Sequence, residues 1–97
     1  MEIKLNIYEN NSSKEPLQTY VCYGLSFETI IKFEEFQKKS KGTDLKEQLE
    51  LILDFIKSVY ADFKDEYLYK IRPNDLHDFM TQIGQDVTGE YRKAEKN

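Results

Sequence analysis

The stretch DLKEQLELILDFIKSVYADF, residues 44–63, decides the fold because its apolar residues repeat at helical spacing. Apolar side chains recur every three or four residues, which places them on one side of a helix with 3.6 residues per turn. Further apolar residues widen this stripe to about half of the circumference, beyond the ~100° of an ordinary surface helix. We therefore expect a core helix that other segments cover from more than one direction. The stripe consists of Leu45, Leu49, Ile52, Ile56, Val59 and Phe63, flanked by Leu53 and Tyr60 on one side and by Leu51 and Phe55 on the other.

Two short segments before this helix alternate in the way of half-buried strands. In residues 2–8, Ile3, Leu5 and Ile7 alternate with polar residues, and residues 17–23 mix β-branched and aromatic side chains. The intervening ENNSSKEP, residues 9–16, is rich in Asn, Ser and Pro and predicts an exposed turn. The sequence therefore predicts an antiparallel β-hairpin, which needs cover from helices because an isolated hairpin is only marginally stable.

A first helix should follow the hairpin. Ser26 is placed to cap a helix that starts at Phe27, and we expect Phe27, Ile30 and Ile31 to anchor its first turns. The cations and glycine of KKSKG, residues 38–42, suit the end of this helix.

Two further helical segments follow the central helix. Residues 67–71 predict one or two helical turns, and Pro73 predicts a break before a last helix that Gly89 ends. The expected caps are Thr43 or Asp44 for the central helix and Asn74 or Asp75 for the last one.

This order of elements predicts an α+β fold in which an N-terminal antiparallel β-hairpin packs on a small bundle of three to four helices. The chain has 97 residues, of which 39% are hydrophobic, and this suits one core. We expect a single domain over residues 1–90. Residues 91–97, YRKAEKN, are polar and should form a flexible tail.

Composition argues against several classes of function. The formal net charge is −4, whereas proteins that bind nucleic acid usually concentrate Lys and Arg. Cys22 is the only cysteine and cannot close an internal disulfide, and neither an export signal nor an apolar run of ~18 to 20 residues is apparent. We therefore expect a cytoplasmic protein that binds neither nucleic acid nor membrane.

Catalytic and metal-binding patterns are equally weak. Asp75, His77 and Asp78 lie close in sequence, but His77 points away from Asp75 on a helix and no second His or Cys completes a site. Cys22 lies within a predicted strand and is expected to be a packed or surface thiol rather than a nucleophile. No phosphate-binding glycine loop is present. We expect neither an enzyme nor a cofactor or metal site.

The unusual material is aromatic, since the chain contains seven Tyr and six Phe without Trp. Aromatic residues are enriched in the cores of protein interfaces, which favours a binding or self-associating protein. Helix geometry suggests four residues whose apolar surface exceeds what one small core needs. These predicted interface residues are Phe33, Phe36, Leu51 and Phe55.

The succession of elements resembles the tail assembly chaperones of bacteriophages with long, non-contractile tails that infect Gram-positive hosts. The resemblance covers most of the chain and rests on the order of its parts. These are MEIKLNIY, a turn, YGLSF leading into FEEFQKK, the broad LELILDFIKSVYADF helix, DEYLYKIRPNDL, and FMTQIGQDVTG before a polar tail. The segment KDEYLYKI departs from the family pattern, in which a polar turn leads to an acidic helix start.

The resemblance implies a non-enzymatic protein of the host cytoplasm that is absent from the mature virion. It implies that the protein associates with itself, coats the aggregation-prone tape-measure protein, and gives way to the tail-tube protein. It also implies a longer form made by ribosomal frameshifting near the end of the gene. The codons GAA AAA AAC would encode Glu95, Lys96 and Asn97 and contain a slippery A AAA AAC run.

Two other classes remain open on the residues alone. A small oligomeric, protein-binding regulator of phage or bacterial origin would show the same surplus of aromatic residues. The second class is a small enzyme whose substrate-binding groups come together only at an oligomer interface. A neighbouring gene for a very long, helical tape-measure protein would favour the chaperone.

Overall fold

A computed structural model describes the backbone of residues 2–95 and the side chains of residues 2–88. The described chain has an antiparallel β-hairpin followed by helices, so the predicted α+β fold class is confirmed. The elements are β1 (Ile3–Ile7), β2 (Gln18–Cys22), α1 (Phe27–Lys39), α2 (Leu45–Val59), a short 3-10 helix (Asp65–Lys70) and α3 (Pro73–Glu95).

The chain divides into two compact units. The hairpin unit comprises Met1–Leu25 and Lys70–Asn97, and the helical unit comprises Ser26–Tyr69. The hairpin unit therefore contains β1, β2 and α3, while the helical unit contains α1, α2 and most of the 3-10 helix. That residues 1–90 form a single domain stays a prediction.

The core of the hairpin unit follows from two periodicities. The strands pair antiparallel, from Ile3 opposite Cys22 to Ile7 opposite Gln18. Alternate residues of β1 point to one face, and α3 packs against this strand. Phe79 and Ile83, four residues apart on α3, are fully buried. The buried side chains of β1 and β2 are Ile3, Leu5, Ile7 and Tyr20.

Two basic residues just before α3 contact the turn that joins the strands. The Tyr8 N–H donates to the Lys70 carbonyl at 3.2 Å, which holds the end of β1. The Arg72 guanidinium carbon lies 3.7 Å from the centroid of the Tyr8 ring, and its Nη2 donates to the Ser13 carbonyl at 2.6 Å. The Arg72 side chain, which is distant in sequence, therefore stabilises the turn in addition to the hydrogen bonds within the turn.

The predicted limits of α3 are wrong at both ends. Pro73 is its first residue rather than a break, because a helix's first turn needs no N–H from proline and accepts its φ. The Leu76 N–H donates to the Arg72 carbonyl at 3.0 Å, so neither predicted cap precedes the helix. The helix also continues past Gly89 to Glu95, since glycine in a helix interior costs only ~1 kcal/mol.

The flexibility predicted for residues 91–97 stays a prediction. Residues 96 and 97, which belong to the expected join with a frameshifted extension, lie outside the described residues.

The caps predicted for the helical unit are confirmed at two positions. The Ser26 hydroxyl accepts from the Thr29 N–H at 3.2 Å at the start of α1. The Asp44 carboxylate accepts from the Glu47 N–H at 2.9 Å at the start of α2. Between the two helices, Gly42 has φ of 75°, the left-handed conformation that L side chains disfavour.

The central helix ends four residues before the predicted Phe63. Its last helical residue is Val59, and Tyr60 has an extended backbone whose N–H still donates to the Ile56 carbonyl. The Phe63 N–H donates to the Tyr60 carbonyl at 3.0 Å, so a turn replaces the last helical turn. Because this turn keeps Tyr60 and Phe63 buried, the apolar spacing of the sequence concealed the end of the helix.

Candidate interaction surface

Phe55 occupies the centre of the contact between α1 and α2. Its side chain is 1% exposed. The Phe33 ring lies 5.5 Å from the Phe55 ring in a tilted arrangement, and the Phe36 ring lies 6.2 Å away in a stacked one. Offset and tilted aromatic pairs at these centroid distances add stability beyond the apolar area that they bury. The three rings thus join the two helices.

Phe33 and Phe55, two of the four predicted interface residues, are buried against each other in the contact between α1 and α2. Their part in an interface stays a prediction. Phe33 is only 6% exposed, and Phe55 is among the most deeply buried side chains described. Phe55 is buried because the buried side of α2 consists of Ile52, Phe55 and Ile56. The predicted stripe placed Phe55 on its flank, so the buried side is turned toward Phe55 relative to that stripe. Neither Phe33 nor Phe55 can meet a partner without unpacking α1 from α2.

The other two predicted interface residues, Phe36 and Leu51, are half-buried. They line a shallow hollow of about 30 Å³ between α1 and α2. This hollow has space for a water molecule but not for a substrate or cofactor. Whether Phe36 and Leu51 form an interface stays a prediction. The charged residues around the hollow are Lys32, Glu35, Lys39 and Asp54.

The structure exposes two residues of α1 that were expected to anchor it. Phe27 is 79% exposed and Ile31 is 56% exposed, while Ile30 is buried as predicted. Phe27 and Ile31 are one helical turn apart and lie on the same side of α1. One sequence signal could have revealed this orientation. Ile30, Phe33 and Phe36 recur every three residues and so mark the buried side of α1.

A hydrogen-bonded threonine occupies the inner side of the first turn of α1. Thr29 is 5% exposed, and its hydroxyl lies 3.1 Å from the Ser26 hydroxyl and 3.4 Å from the Ser58 carbonyl oxygen of α2. Because Thr29 points inward, the residues two positions before and after it point outward. This orientation leaves Phe27 and Ile31 in solvent.

The exposed side of α1 changes from apolar to charged along its length. We define the α1 outer face as Phe27, Ile31, Glu34, Glu35 and Lys38, which follow one another at helical spacing and are all exposed. Neither Glu34 nor Glu35 forms an ion pair with any residue whose side chain the structure describes. The face therefore presents two apolar side chains next to two unpaired carboxylates.

Other large apolar side chains are exposed in both units. Leu45 was predicted to begin the buried stripe of α2, but it is 73% exposed at the first position of the helix, directly after the Asp44 cap. Tyr69 is also exposed in the helical unit, and Leu17 and Tyr23 are exposed in the hairpin unit. No two of these four residues lie one turn apart on a helix, as Phe27 and Ile31 do.

The described side chains show no metal-binding cluster, and the single cysteine is hydrogen-bonded. Within residues 2–88, no three His, Cys, Asp or Glu side chains converge where they could hold a metal ion. The half-buried Cys22 thiol donates to the Gly24 carbonyl at 3.1 Å. In the part of the chain that the structure describes, no helix is both long and apolar enough to cross a bilayer.

No protein-family model, curated protein or solved structure matches the chain. The chemistry of the surface is therefore the basis for a functional assignment. The α1 outer face can bury apolar area and pair charges, which are the two contributions that a protein partner requires.

Proposed function

We propose that this protein is a non-enzymatic phage tail assembly chaperone. In this role it binds and solubilises the tape-measure protein in the host cytoplasm and helps to recruit tail-tube subunits during tail morphogenesis. It leaves the assembly before the virion is mature. The order of sequence elements, which resembles that family, supports this proposal, as does the apolar surface of the helical unit.

The observation that carries the proposal is the exposure of Phe27 and Ile31 on one side of α1. Exposed apolar side chains scattered singly are normal, but an adjacent pair at the surface of a small protein marks a candidate binding site. An aggregation-prone, helical client such as a tape-measure protein offers apolar stripes that the pair would shield from water. A chaperone needs this kind of surface and needs no reactive group.

Charge and cavity size favour a protein client over other ligands. The formal net charge of −4 opposes binding to phosphate backbones. The hollow at Phe36 and Leu51, about 30 Å³ in volume, is far smaller than the ~300 to 1,000 Å³ of typical small-molecule sites. A macromolecular partner that lies across a helix face requires no deep pocket.

Co-expression with segments of the tape-measure protein encoded in the same genome tests the proposal. We expect at least one segment that is insoluble alone to become soluble with the chaperone and to co-purify with it. The double variant Phe27→Ser/Ile31→Ser should lose both effects, whereas Tyr23→Ser, an exposed residue of the hairpin unit, should retain them. Failure of every tape-measure segment to gain solubility or to co-purify would refute the proposal.

A small oligomeric, protein-binding regulator is the alternative. The hollow favours it, because half-buried Phe36 and Leu51 are surrounded by both cations and carboxylates, a mixture that can complement itself across a two-fold axis. Sedimentation velocity of wild-type protein and of Phe36→Ser/Leu51→Ser tests for such self-association. Oligomers together with a gene neighbourhood that lacks a tape-measure gene would favour the regulator.

A further inference from the structure

We infer that the α1 outer face binds a basic amphipathic helix, whose apolar edge covers Phe27 and Ile31 and whose Lys or Arg residues meet Glu34 and Glu35. This deepens the proposed function and rests on it only in taking a protein segment as the partner. The inference names the chemistry of that segment.

The apolar part of the face requires an apolar edge opposite it. Phe27 and Ile31 are 79% and 56% exposed, and they lie one helical turn apart. A partner helix that places two apolar side chains three or four residues apart would cover both. The face from Phe27 to Lys38 is about 16 Å long at 1.5 Å per residue, so three turns of a partner helix span it.

The charged part of the face fixes the sign of the partner. Glu34 and Glu35 are exposed, and neither has an ion-pair partner among the described side chains. Glu28 is a third exposed carboxylate on α1. The helix also carries Lys32, Lys38 and Lys39, but the residues three or four positions from Ile31 include Glu28, Glu34 and Glu35 and no lysine, so the surface next to the apolar pair is acidic. Lys38 is the one cation of the outer face and lies at its far end. Lys or Arg residues next to the apolar edge of the partner would therefore be attracted, and Asp or Glu residues there repelled.

A second copy of this chain is a poorer occupant of the face. If two α1 helices met antiparallel across a two-fold axis, pairing Phe27 with Ile31 in both directions would centre the contact on position 29. Glu34 and Glu35 would then lie opposite positions 24 and 23 of the other copy, before its α1 begins and where no cation stands. Self-pairing thus covers the apolar pair and leaves the carboxylates unpaired.

Two designed peptides of about 18 residues test the inference against full-length protein. Both carry the same leucine stripe at helical spacing, one flanked by Lys and the other by Glu. We expect the Lys peptide to bind at least ~10-fold more tightly by fluorescence anisotropy at low salt, and to weaken as salt screens the charges. Neither peptide contains tape-measure sequence. If the Lys peptide does not bind more tightly, the inference fails, while the co-expression experiment still tests the proposed function separately.

Matched variants locate the binding. Phe27→Ser/Ile31→Ser should abolish binding of the Lys peptide, and Glu34→Gln/Glu35→Gln should weaken it several-fold and flatten its salt dependence. The control Glu47→Gln/Glu50→Gln removes the same charge from exposed positions of α2 and should change nothing. Far-ultraviolet circular dichroism checks that each variant is folded, and the glutamine variants test the inference even if the serine variant is not.

Three results would overturn the inference. These are equal binding of the Lys and Glu peptides, an equal effect of the α1 and α2 glutamine pairs, and unchanged binding after both α1 pairs are replaced. Wild-type oligomers that dissociate in Phe27→Ser/Ile31→Ser during sedimentation would assign the face to a second copy and would also overturn it.

Discussion

Replacing Arg72 with Ala should loosen the turn between β1 and β2. The Arg72 Nη2 donates to the Ser13 carbonyl at 2.6 Å and to the Asn10 carbonyl at 3.4 Å, and the guanidinium lies over the Tyr8 ring. One side chain just before α3 therefore holds both the start and the middle of the turn. Removing it leaves those carbonyls to water and frees the ring.

The cost follows from the separate contacts. A hydrogen bond from a charged donor contributes ~1.5 to 3 kcal/mol, and the half-buried position of Arg72 argues for the lower end of that range. A cation over an aromatic ring adds ~0.5 to 1 kcal/mol at a partly exposed site. The 3.4 Å contact to Asn10 is too long to add much. We expect the free energy of unfolding to fall by about 2 kcal/mol in total.

Two assays measure this loss. Urea denaturation followed by circular dichroism should show a midpoint lower by roughly 1 M, given a typical slope of ~2 kcal/mol per molar urea. Trypsin should cleave after the exposed Lys14, within the turn, up to ~30-fold faster, because a loss of 2 kcal/mol raises the open population by that factor. Arg72→Lys should recover part of the loss, since lysine keeps the charge without the planar, multi-donor guanidinium.

Lys70→Ala is the matched control. Among the described residues, the Lys70 ammonium donates to the Glu9 carbonyl alone, at 3.4 Å, so its loss should change stability by no more than ~0.5 kcal/mol. Equal midpoints and equal Lys14 cleavage in Arg72→Ala and wild-type protein would refute the reasoning. An equally large effect of Lys70→Ala would also refute it, since general charge would then explain the result.

Three further predictions concern the helical unit, each measured by urea denaturation. Phe55→Ala should cost ~3 to 5 kcal/mol because the ring is buried between two others, whereas Phe27→Ala should stay within ~0.5 kcal/mol; similar losses would contradict the assignment of the inner side of α1. Asp44→Ala should cost ~1 kcal/mol and Asp44→Asn much less, since asparagine also caps helices; equal losses would show that the cap is unimportant. Gly42→Ala should cost ~1 to 2 kcal/mol because of its positive φ, while Gly24→Ala, without that conformation, should be nearly neutral, and a neutral Gly42→Ala would contradict this.

Local chemistry made the hairpin and two helix starts predictable. The alternation around Leu5 predicted β1 to within one residue at each end because side chains of a strand alternate whatever packs on them. Ser26 and Asp44 were predictable as caps because each satisfies a backbone N–H three residues later, which is a short-range requirement. These features depend little on distant parts of the chain.

Features that depend on tertiary contacts were not predictable from the same patterns. No glycine or proline marks the end of α2 at Val59, and the turn that follows still buries Phe63. Pro73 can either precede a helix or begin one, and nothing local decides between the two. The contacts of Arg72 with the turn, 59 residues away at Ser13, have no signature in the local sequence.

The exposed side of α1 was not predictable because α1 is apolar on several sides. Phe27, Ile30, Ile31, Phe33 and Phe36 cannot all face α2, and spacing alone does not decide which of them are buried. The packing against α2 decides which residues are buried, because the Phe33 and Phe36 rings pack against its Phe55 ring. Sequence reasoning therefore found an excess of apolar residues on α1 but did not predict that Phe27 and Ile31 are exposed.

The orientation of α1 is itself an argument for a binding role of its outer face. Burying Phe27 in place of Thr29 would require a rotation of α1 that turns Phe33 and Phe36 away from Phe55, so the helix cannot bury all of its apolar side chains. The structure instead directs Thr29 inward, where its hydroxyl meets the Ser26 hydroxyl and the Ser58 carbonyl, and leaves Phe27 and Ile31 in solvent. Places where a sequence departs from the rule that apolar residues are buried are expected at functional sites, where the surface must satisfy a partner as well as the fold. On α1 that departure coincides with unpaired Glu34 and Glu35, so one helix face combines apolar area with a defined charge, and this combination selects a basic helix over the acidic surface of a second copy.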